Sequence, residues 1–433
     1  MWSRHPADCD SQTVRVFATF TPDLHLLVDW LVACSIDTVV MASTGVFWIP
    51  IYELLEQHDI TPYLVNARHV KSVPGRKSDW NDAQWLQKLH ALGLLQASFR
   101  PDAEIRTLRT LVRYRAELIE RRAPHINHMI QALKHMNIQL NLVLSDITGT
   151  TGLAILRAIV AGERDPMQLA QLRTPGCKHT EAEIAKALTG TWQEAQLFIL
   201  RQSLEVFDYY TTKIAECDRE IEQQYQAMES RWMVDAPLPD LPPAKPESKS
   251  KNEPSFNVRA QVARIIGVDL VAVMGLSAVT VHTIISEIGA DMSRFPTVKH
   301  FCAWLGLAPR NDISGGKVLR SRTMKVRSRA NQAFRQAAQS VARSDSAVGA
   351  HYRAMRARLG PGQAIVATAH KIARIVYHLL KTGEPYREEG AAEYEQKRQA
   401  RELKHLARRA QKLGYSLAPI PASAPESQPE GGG

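Results

Sequence analysis

Cysteine is scarce. There are five in 433 residues, at Cys9, Cys34, Cys177, Cys217 and Cys302. They are odd in number, scattered and without metal-ligand spacing, which argues against a disulfide framework and fits a reducing compartment. Long apolar runs are missing too. No stretch is long enough to span a bilayer, and the first residues carry no signal-peptide hydrophobic region. The expectation is a cytoplasmic protein without a membrane partner. Acids are outnumbered, with 44 Asp and Glu against 54 Lys and Arg, for a net charge of +10. The sequence pI is about 9.4. This balance favours a polyanionic partner, although a merely soluble basic protein would share it. Hydrophobic residues make up 45% of the chain, enough to fill the cores of two or three domains.

The first hundred residues alternate. Residues 1–12 are polar and patternless. Val14–Phe20 predicts a short strand, Asp23–Cys34 a helix, Thr38–Ala42 a buried strand, Val46–Gln57 a helix and Pro62–Val65 another strand. Such alternation implies a βαβ unit and a parallel sheet. In open α/β sheets the ligand sits beyond the carboxyl ends of the strands, here near Ala42 and Asn66. The stretch Asn66–Ala83 follows. It gathers Arg68, Lys71, Arg76 and Lys77 around a Pro74-Gly75 turn, then opens a helix whose first turn carries Asp79 and Asp82. Helical residues three apart share a face. Two carboxylates there, beside a basic loop, suit holding a hard divalent cation against a phosphate. The same residues also read as ordinary helix chemistry, with Ser78 as N-cap and acids favoured by the dipole. Spacing alone does not choose between the two.

From Ala103 to Gln139 apolar residues keep a three-four step through Ile105, Leu108, Val112, Ile119, Ile126, Met129, Leu133 and Met136, the seam of a coiled coil. Arg115 and Arg122 occupy seam positions, and Pro124 should kink or interrupt the helix. Arg106, Arg109, Arg113 and Arg121 add to the charge, and either a solvated face or a nucleic-acid face accounts for them. A second seam runs from Leu197 to Met228 and pairs with the first, within the chain or across a dimer. Residues 234–257 are rich in Pro, Lys, Glu and Ser and read as a linker.

In the last globular part, Val273–Ser277 and the apolar helix after it resemble half of a helix-hairpin-helix element, which meets DNA phosphate through a Gly turn. A plain helical hairpin reads equally well. Ser314 lies in a Ser-Gly-Gly-Lys turn, with Lys317, Arg320, Arg322, Lys325, Arg327 and Arg329 beyond it. An exposed hydroxyl beside cations can attack a phosphate, and the cluster can neutralise several phosphates. Most serines in glycine turns are only turn residues.

Several segments together resemble one family. Met41–Trp48, Asn66–Asp82, Ile288–Pro296 and Trp304–Lys317 are similar, in the same order, to the DEDD transposases of the IS110/IS1111 insertion sequences. The resemblance spans residues 13 to 382. It implies an α/β plus mostly α fold: an incomplete RuvC-like domain of RNase H fold (13–100), long coiled-coil helices (101–233), the linker (234–257), a helical C-terminal serine transposase domain (258–385), and a charged helix with a disordered tail (386–433). It implies four metal-binding acids, a serine that attacks DNA to form a covalent intermediate, and in some members a structured guide RNA. Residue by residue, Asp79 and Asp82 match the last two acids and Ser314 the nucleophile. Mg²⁺ or Mn²⁺ would be weakly held, because Ala42 stands where the family has its second acid and the strand bearing the first acid is missing, neither Asp8 nor Asp10 having its context. The implied protein is a transposase or recombinase acting on DNA in the cytoplasm at the nucleoid, homo-oligomeric, N-terminally truncated and impaired. The alternative is a non-catalytic DNA- or RNA-binding remnant or regulator of transposition.

Overall fold

The structure is a computed structural model that describes residues 2–3, 14–43, 45–66, 79–95, 97–232, 241, 252–324, 326 and 328–418. The chain divides into two compact units, Met1–Arg100 and Pro101–Gly433. No helix among the described residues is long and apolar enough to cross a membrane.

In the first unit, strands Thr38–Ala42 and Thr61–Val65 pair in parallel, with Thr38 opposite Thr61 and Ala42 opposite Val65. Helix Trp48–Gln57 makes the crossover, so the βαβ unit is observed. Helix Thr21–Ala33 packs with them. Leu27, Val28, Leu31, Val39, Met41, Leu55 and Leu64 form the core. The strand expected over Val14–Phe20 is confined to Val14–Arg15, which pairs with Trp2–Ser3 in a separate antiparallel ribbon. Arg100 fastens the crossover helix. Its guanidinium lies 3.7 Å from the Tyr52 ring centroid and 5.4 Å from that of Trp48, and 3.2 Å from Glu53.

The second unit is built on helices Ala103–His135 and Glu194–Ala227. They run antiparallel within one chain, since Arg115 meets Asp218 while Arg122 meets Thr211. The first helix continues unbroken through Pro124. A proline removes one hydrogen bond, and here the turns beside it are held by the partner helix, with Arg122 over Phe207 and His125 against Tyr210. At the far end both helices enclose a core of Met129, Leu133, Ile155, Leu188 and Leu200.

Helices Ala278–Ile288, Val298–Trp304, Arg329–Ser340 and Pro361–Thr382 form the C-terminal bundle around Ile285, Phe301, Phe334 and Ile372. The Gly275 turn is packed against this bundle. A Cβ there would meet Val341 Cγ1 at 2.5 Å and the Ala337 carbonyl at 2.7 Å, so the close approach that glycine permits is made to a helix of the same chain.

Candidate nucleic-acid interface

The sequence-predicted residues fall into three groups. Arg68, Lys71, Arg76 and Lys77, together with Lys325 and Arg327, lie outside the described residues. Asp79 and Asp82 stand in the first turn of helix Asp79–Ala91, and the Asp82 side chain is exposed. The other end of this helix is tied to the sheet. Thr38 Oγ1 and His90 Nε2 are 2.9 Å apart, and the His90 ring centroid is 4.7 Å from that of Tyr63. Burial lowers the pKa of His90, which disfavours the charged ring at this contact. Ala42 ends its strand and offers only a methyl group beside Val65. Among the described residues no group of three or more His, Cys, Asp or Glu is arranged to hold a metal.

Ser314, Lys317, Arg320 and Arg322 are brought together on a β-hairpin. Strands Pro309–Ser314 and Lys317–Thr323 pair antiparallel, with Ser314 opposite Lys317, Asp312 opposite Arg320 and Arg310 opposite Arg322. Ser314 is therefore the last strand residue, and the turn itself is only Gly315-Gly316. Both glycines have positive φ, +55° and +76°, the geometry of the tight hairpin turn that matches strand twist. Cross-strand partners share a face of the ribbon. Arg310, Arg320 and Arg322 thus share one face with Asp312. Arg310 was not singled out by sequence because its place depends on pairing across the strands.

Every residue of both hairpin strands is exposed. Ile313 is 62% and Leu319 71% exposed. A two-stranded ribbon is marginal alone in water, so this one depends on its base and on whatever it contacts. The base is firm. Asn331 Nδ2 donates to the Leu305 carbonyl at 2.6 Å, and Leu305 and Leu307 are buried. Gly306, at φ +69°, lets the chain pass Val326, whose Cγ2 would be 2.6 Å from a Cβ.

The arginines of the first long helix have partners inside the protein. Arg113 grips Glu287 through two bonds of 2.8 and 2.7 Å, and Arg109 reaches the Ser286 and Glu287 carbonyls. Arg122 donates to Thr211 and Asn252 at 3.1 and 3.0 Å, and Arg121 pairs with Glu117 at 2.5 Å. Arg109, Arg113 and Arg122 hold elements together, which neither a solvated face nor a nucleic-acid face anticipated, whereas Arg121 and Glu117 form an exposed pair within one helix, as a solvated face would.

One unit presents an exposed serine beside cations, and the other a βαβ unit followed by a helix with two leading acids; each is a feature found in proteins that act on phosphodiesters. Comparison with known families agrees with that class. Residues 11–138 match the model of the IS110-type DEDD transposases, described as Transposase. Residues 268–353 match the model described as Transposase IS116/IS110/IS902 family. Together the two matches support a transposase of the IS110/IS116 family, and that family implies DNA as the partner. No curated protein matches the chain.

Proposed function

We propose that the chain is a DNA strand-cleaving and strand-exchanging transposase in which Ser314 is the nucleophile and Asp79 and Asp82 are the remaining metal-binding acids. In the reaction Ser314 Oγ bonds to phosphorus while a phosphorus–oxygen bond to the adjoining sugar breaks. The serine proton leaves with the departing sugar oxygen. One ester replaces another, so the reverse attack by a different strand end can complete exchange without a further energy source. Lys317, Arg320 and Arg322 counter the phosphate charge. The observation that carries this reading is Ser314 exposed at the tip of a cationic hairpin, directly across from Lys317.

The first unit supports an RNase H-like reading through its parallel pair. His90, in the last turn of helix Asp79–Ala91, is tied to Thr38 at the amino end of its strand; in this reading the helix runs antiparallel to the strands and its first turn lies toward their carboxyl ends. Asp82 lies about 12 Å from His90 along the axis, at 1.5 Å per residue. Carboxylate oxygens fit Mg²⁺ or Mn²⁺, but two acids hold a hydrated ion weakly. When bound, such an ion would polarise the phosphate and stabilise the leaving oxygen. Ala42 supplies no ligand, and it favours a second reading, a DNA- or RNA-binding remnant or regulator without catalysis.

The chain acts as a homo-oligomer in this proposal. Leu403 and Leu406 are exposed on helix Ala391–Lys412, three residues apart, with Leu413 seven beyond Leu406. Glu402 and Arg409 flank this stripe and have opposite charge, so an antiparallel second copy of the helix could set one against the other.

The test is to incubate the protein with DNA carrying the ends of its element and a divalent cation, then quench in detergent. A protein–DNA adduct absent with Ser314→Ala supports the transposase. Salt-sensitive DNA binding that is indifferent to Ser314→Ala, with no adduct, establishes the second reading instead.

A further inference from the structure

Helix Pro361–Thr382 carries Lys371, Arg374, His378 and Lys381 at steps of three, four and three residues, which places them along one face. That face lines a groove of about 1080 Å³, to which Tyr386 and Arg387 of the following segment also contribute. Arg374, His378, Lys381 and Arg387 are exposed and Lys371 is half-buried. Glu384 is the one carboxylate in the lining.

Of the neighbouring acids, Glu388 bonds Tyr386 and, with Glu389, acts on Lys371 electrostatically, while the rest pair outside the groove. Glu389 and Glu393 hold Lys397 at 2.9 and 2.8 Å, and Glu395 holds Arg398. Among the described residues, no salt bridge reaches Lys371, Arg374, Lys381 or Arg387. Lys371 instead lies 4.0 Å from the Tyr394 ring centroid and donates to the Ala347 carbonyl at 3.5 Å. Lys381 sits 5.7 Å from the Tyr377 ring centroid. The protein therefore leaves Arg374, Lys381 and Arg387 without a salt-bridge partner among the described residues, along a concave wall that Lys371 also lines. From Lys371 to Lys381 the row of cations is about 15 Å long, at 1.5 Å per residue. A compact anion needs donors that converge on one point. A straight row matches a ligand whose negative charge repeats.

We propose that this groove cradles the phosphodiester backbone of a nucleic-acid strand, separately from the Ser314 hairpin, through Lys371, Arg374, Lys381 and Arg387. The inference takes its ligand class from the reading of the protein as acting on nucleic acid. It adds a second contact region, on the far side of helix Arg329–Ser340 in sequence, which can hold a strand while the hairpin works on it.

The experiment measures affinity of the full chain for three probes without element ends: single-stranded DNA, duplex DNA and RNA of one sequence, each over a range of salt. Each phosphate contact contributes a slope of about 0.7 for a single strand and about 0.9 for a duplex in log affinity against log salt. The triple variant Arg374→Gln/Lys381→Gln/Arg387→Gln should lower the slope by about 2 to 3 and weaken binding roughly 10-fold or more. Its thermal midpoint should stay that of the wild type, because the three side chains are exposed. Arg374→Lys should keep the slope. Which probe loses most tells whether the strand is DNA or RNA.

Three outcomes overturn the proposal. In the first, the triple variant binds all probes like the wild type, while Arg320→Gln/Arg322→Gln on the hairpin still weakens binding. The groove is then not a nucleic-acid site, although the parent reading survives. In the second, the exposed pair Arg356→Gln/Arg358→Gln costs as much slope as the triple variant, so bulk charge explains the effect. In the third, the wild type binds none of the probes at low salt, and the parent reading falls with the proposal.

Discussion

Asp218, buried in the second long helix, holds Arg115 of the first through a two-point ion pair whose Nη2–Oδ2 arm is 3.4 Å. The same pair fixes the chain that follows the Pro-rich segment. Arg115 Nη1 donates to the Asn252 carbonyl at 3.0 Å, and the Ser255 amide donates to Asp218 Oδ2 at 3.1 Å. One buried carboxylate thus joins three parts of the second unit.

Asp218→Ala should be strongly destabilising. Removing one partner of a buried pair leaves an uncompensated charge and costs about 3–5 kcal/mol. Here it also strips the Ser255 amide of its acceptor. Replacing both partners, as in Arg115→Met/Asp218→Leu, should cost less than the single change, because no charge is left buried. Denaturant unfolding of the two variants checks the order. A double variant less stable than Asp218→Ala would overturn this account.

The pair His282 and Tyr225 sets a pH limit on stability. Tyr225 Oη and His282 Nδ1 are 2.8 Å apart, and both residues are buried. Burial pushes the His282 pKa down to about 3, and the Arg115 charge adds to this. His351 is likewise pushed down to about 4, chiefly by burial. The folded state therefore binds fewer protons than the unfolded chain, whose histidines titrate near 6.5. The stabilisation is present above pH 6.5 and is lost as pH falls toward the folded values. Between pH 7 and pH 5, His282 alone accounts for about 2 kcal/mol. His282→Gln cannot take up the proton and can still meet the Tyr225 hydroxyl. Its unfolding free energy should vary less over that range, and a pH dependence equal to the wild type would remove His282 from the explanation.

How much of this was legible from sequence depends on the range of the interactions. The parallel pair was legible because Val39, Met41 and Leu64 carry a buried-strand pattern within a few residues. The coiled-coil seam was legible by the same kind of local period, with Leu118 rather than Ile119 taking the buried position. The arginines of that helix were not, because the partners of Arg109, Arg113, Arg115 and Arg122 lie 89 to 178 residues away and leave no local trace. The hairpin stood between these cases. Ser-Gly-Gly-Lys marked a turn, but the pairing that sets Arg310 beside Arg322 required strands that flank it. Reading Asp79 and Asp82 as metal-binding acids rests on the family resemblance alone, since two acids in a first turn are common helix chemistry.

The hairpin turn gives a test that separates function from folding. Gly315 and Gly316 have φ of +55° and +76°, and nothing lies within 4 Å of a Cβ at either. Space is free there, so the constraint is backbone conformation alone. Left-handed backbone costs an ordinary residue about 1–2 kcal/mol, and a β-branched one suffers most. Gly316→Val should unpair the tip, displace Ser314 from Lys317, and remove the protein–DNA adduct. The thermal midpoint should hardly move, because the strands bury nothing. Gly316→Asn tolerates that backbone better and should retain most of the adduct. Equal adduct from Gly316→Val and the wild type would show that the paired tip is not needed.

The proposed activity can be tested at Ala42. It sits at the carboxyl end of its strand, half-buried and paired with Val65, where the family resemblance expects a glutamate. With a carboxylate added there, the proposed site would have three acids in all, two of them Asp79 and Asp82, and hard oxygen ligands bind Mg²⁺ more tightly as their negative charge rises. Ala42→Glu should lower the Mn²⁺ concentration needed for half-maximal adduct formation roughly tenfold, which corresponds to about 1.4 kcal/mol. Ala42→Gln, with the same shape and no charge, should do little. The comparison must be made in Ser314→Ala as well, where neither change should yield adduct. Robust wild-type exchange that depends on Ser314 yet is not raised by Ala42→Glu would mean that the missing acid is not limiting, and that the serine and the remaining carboxylates suffice.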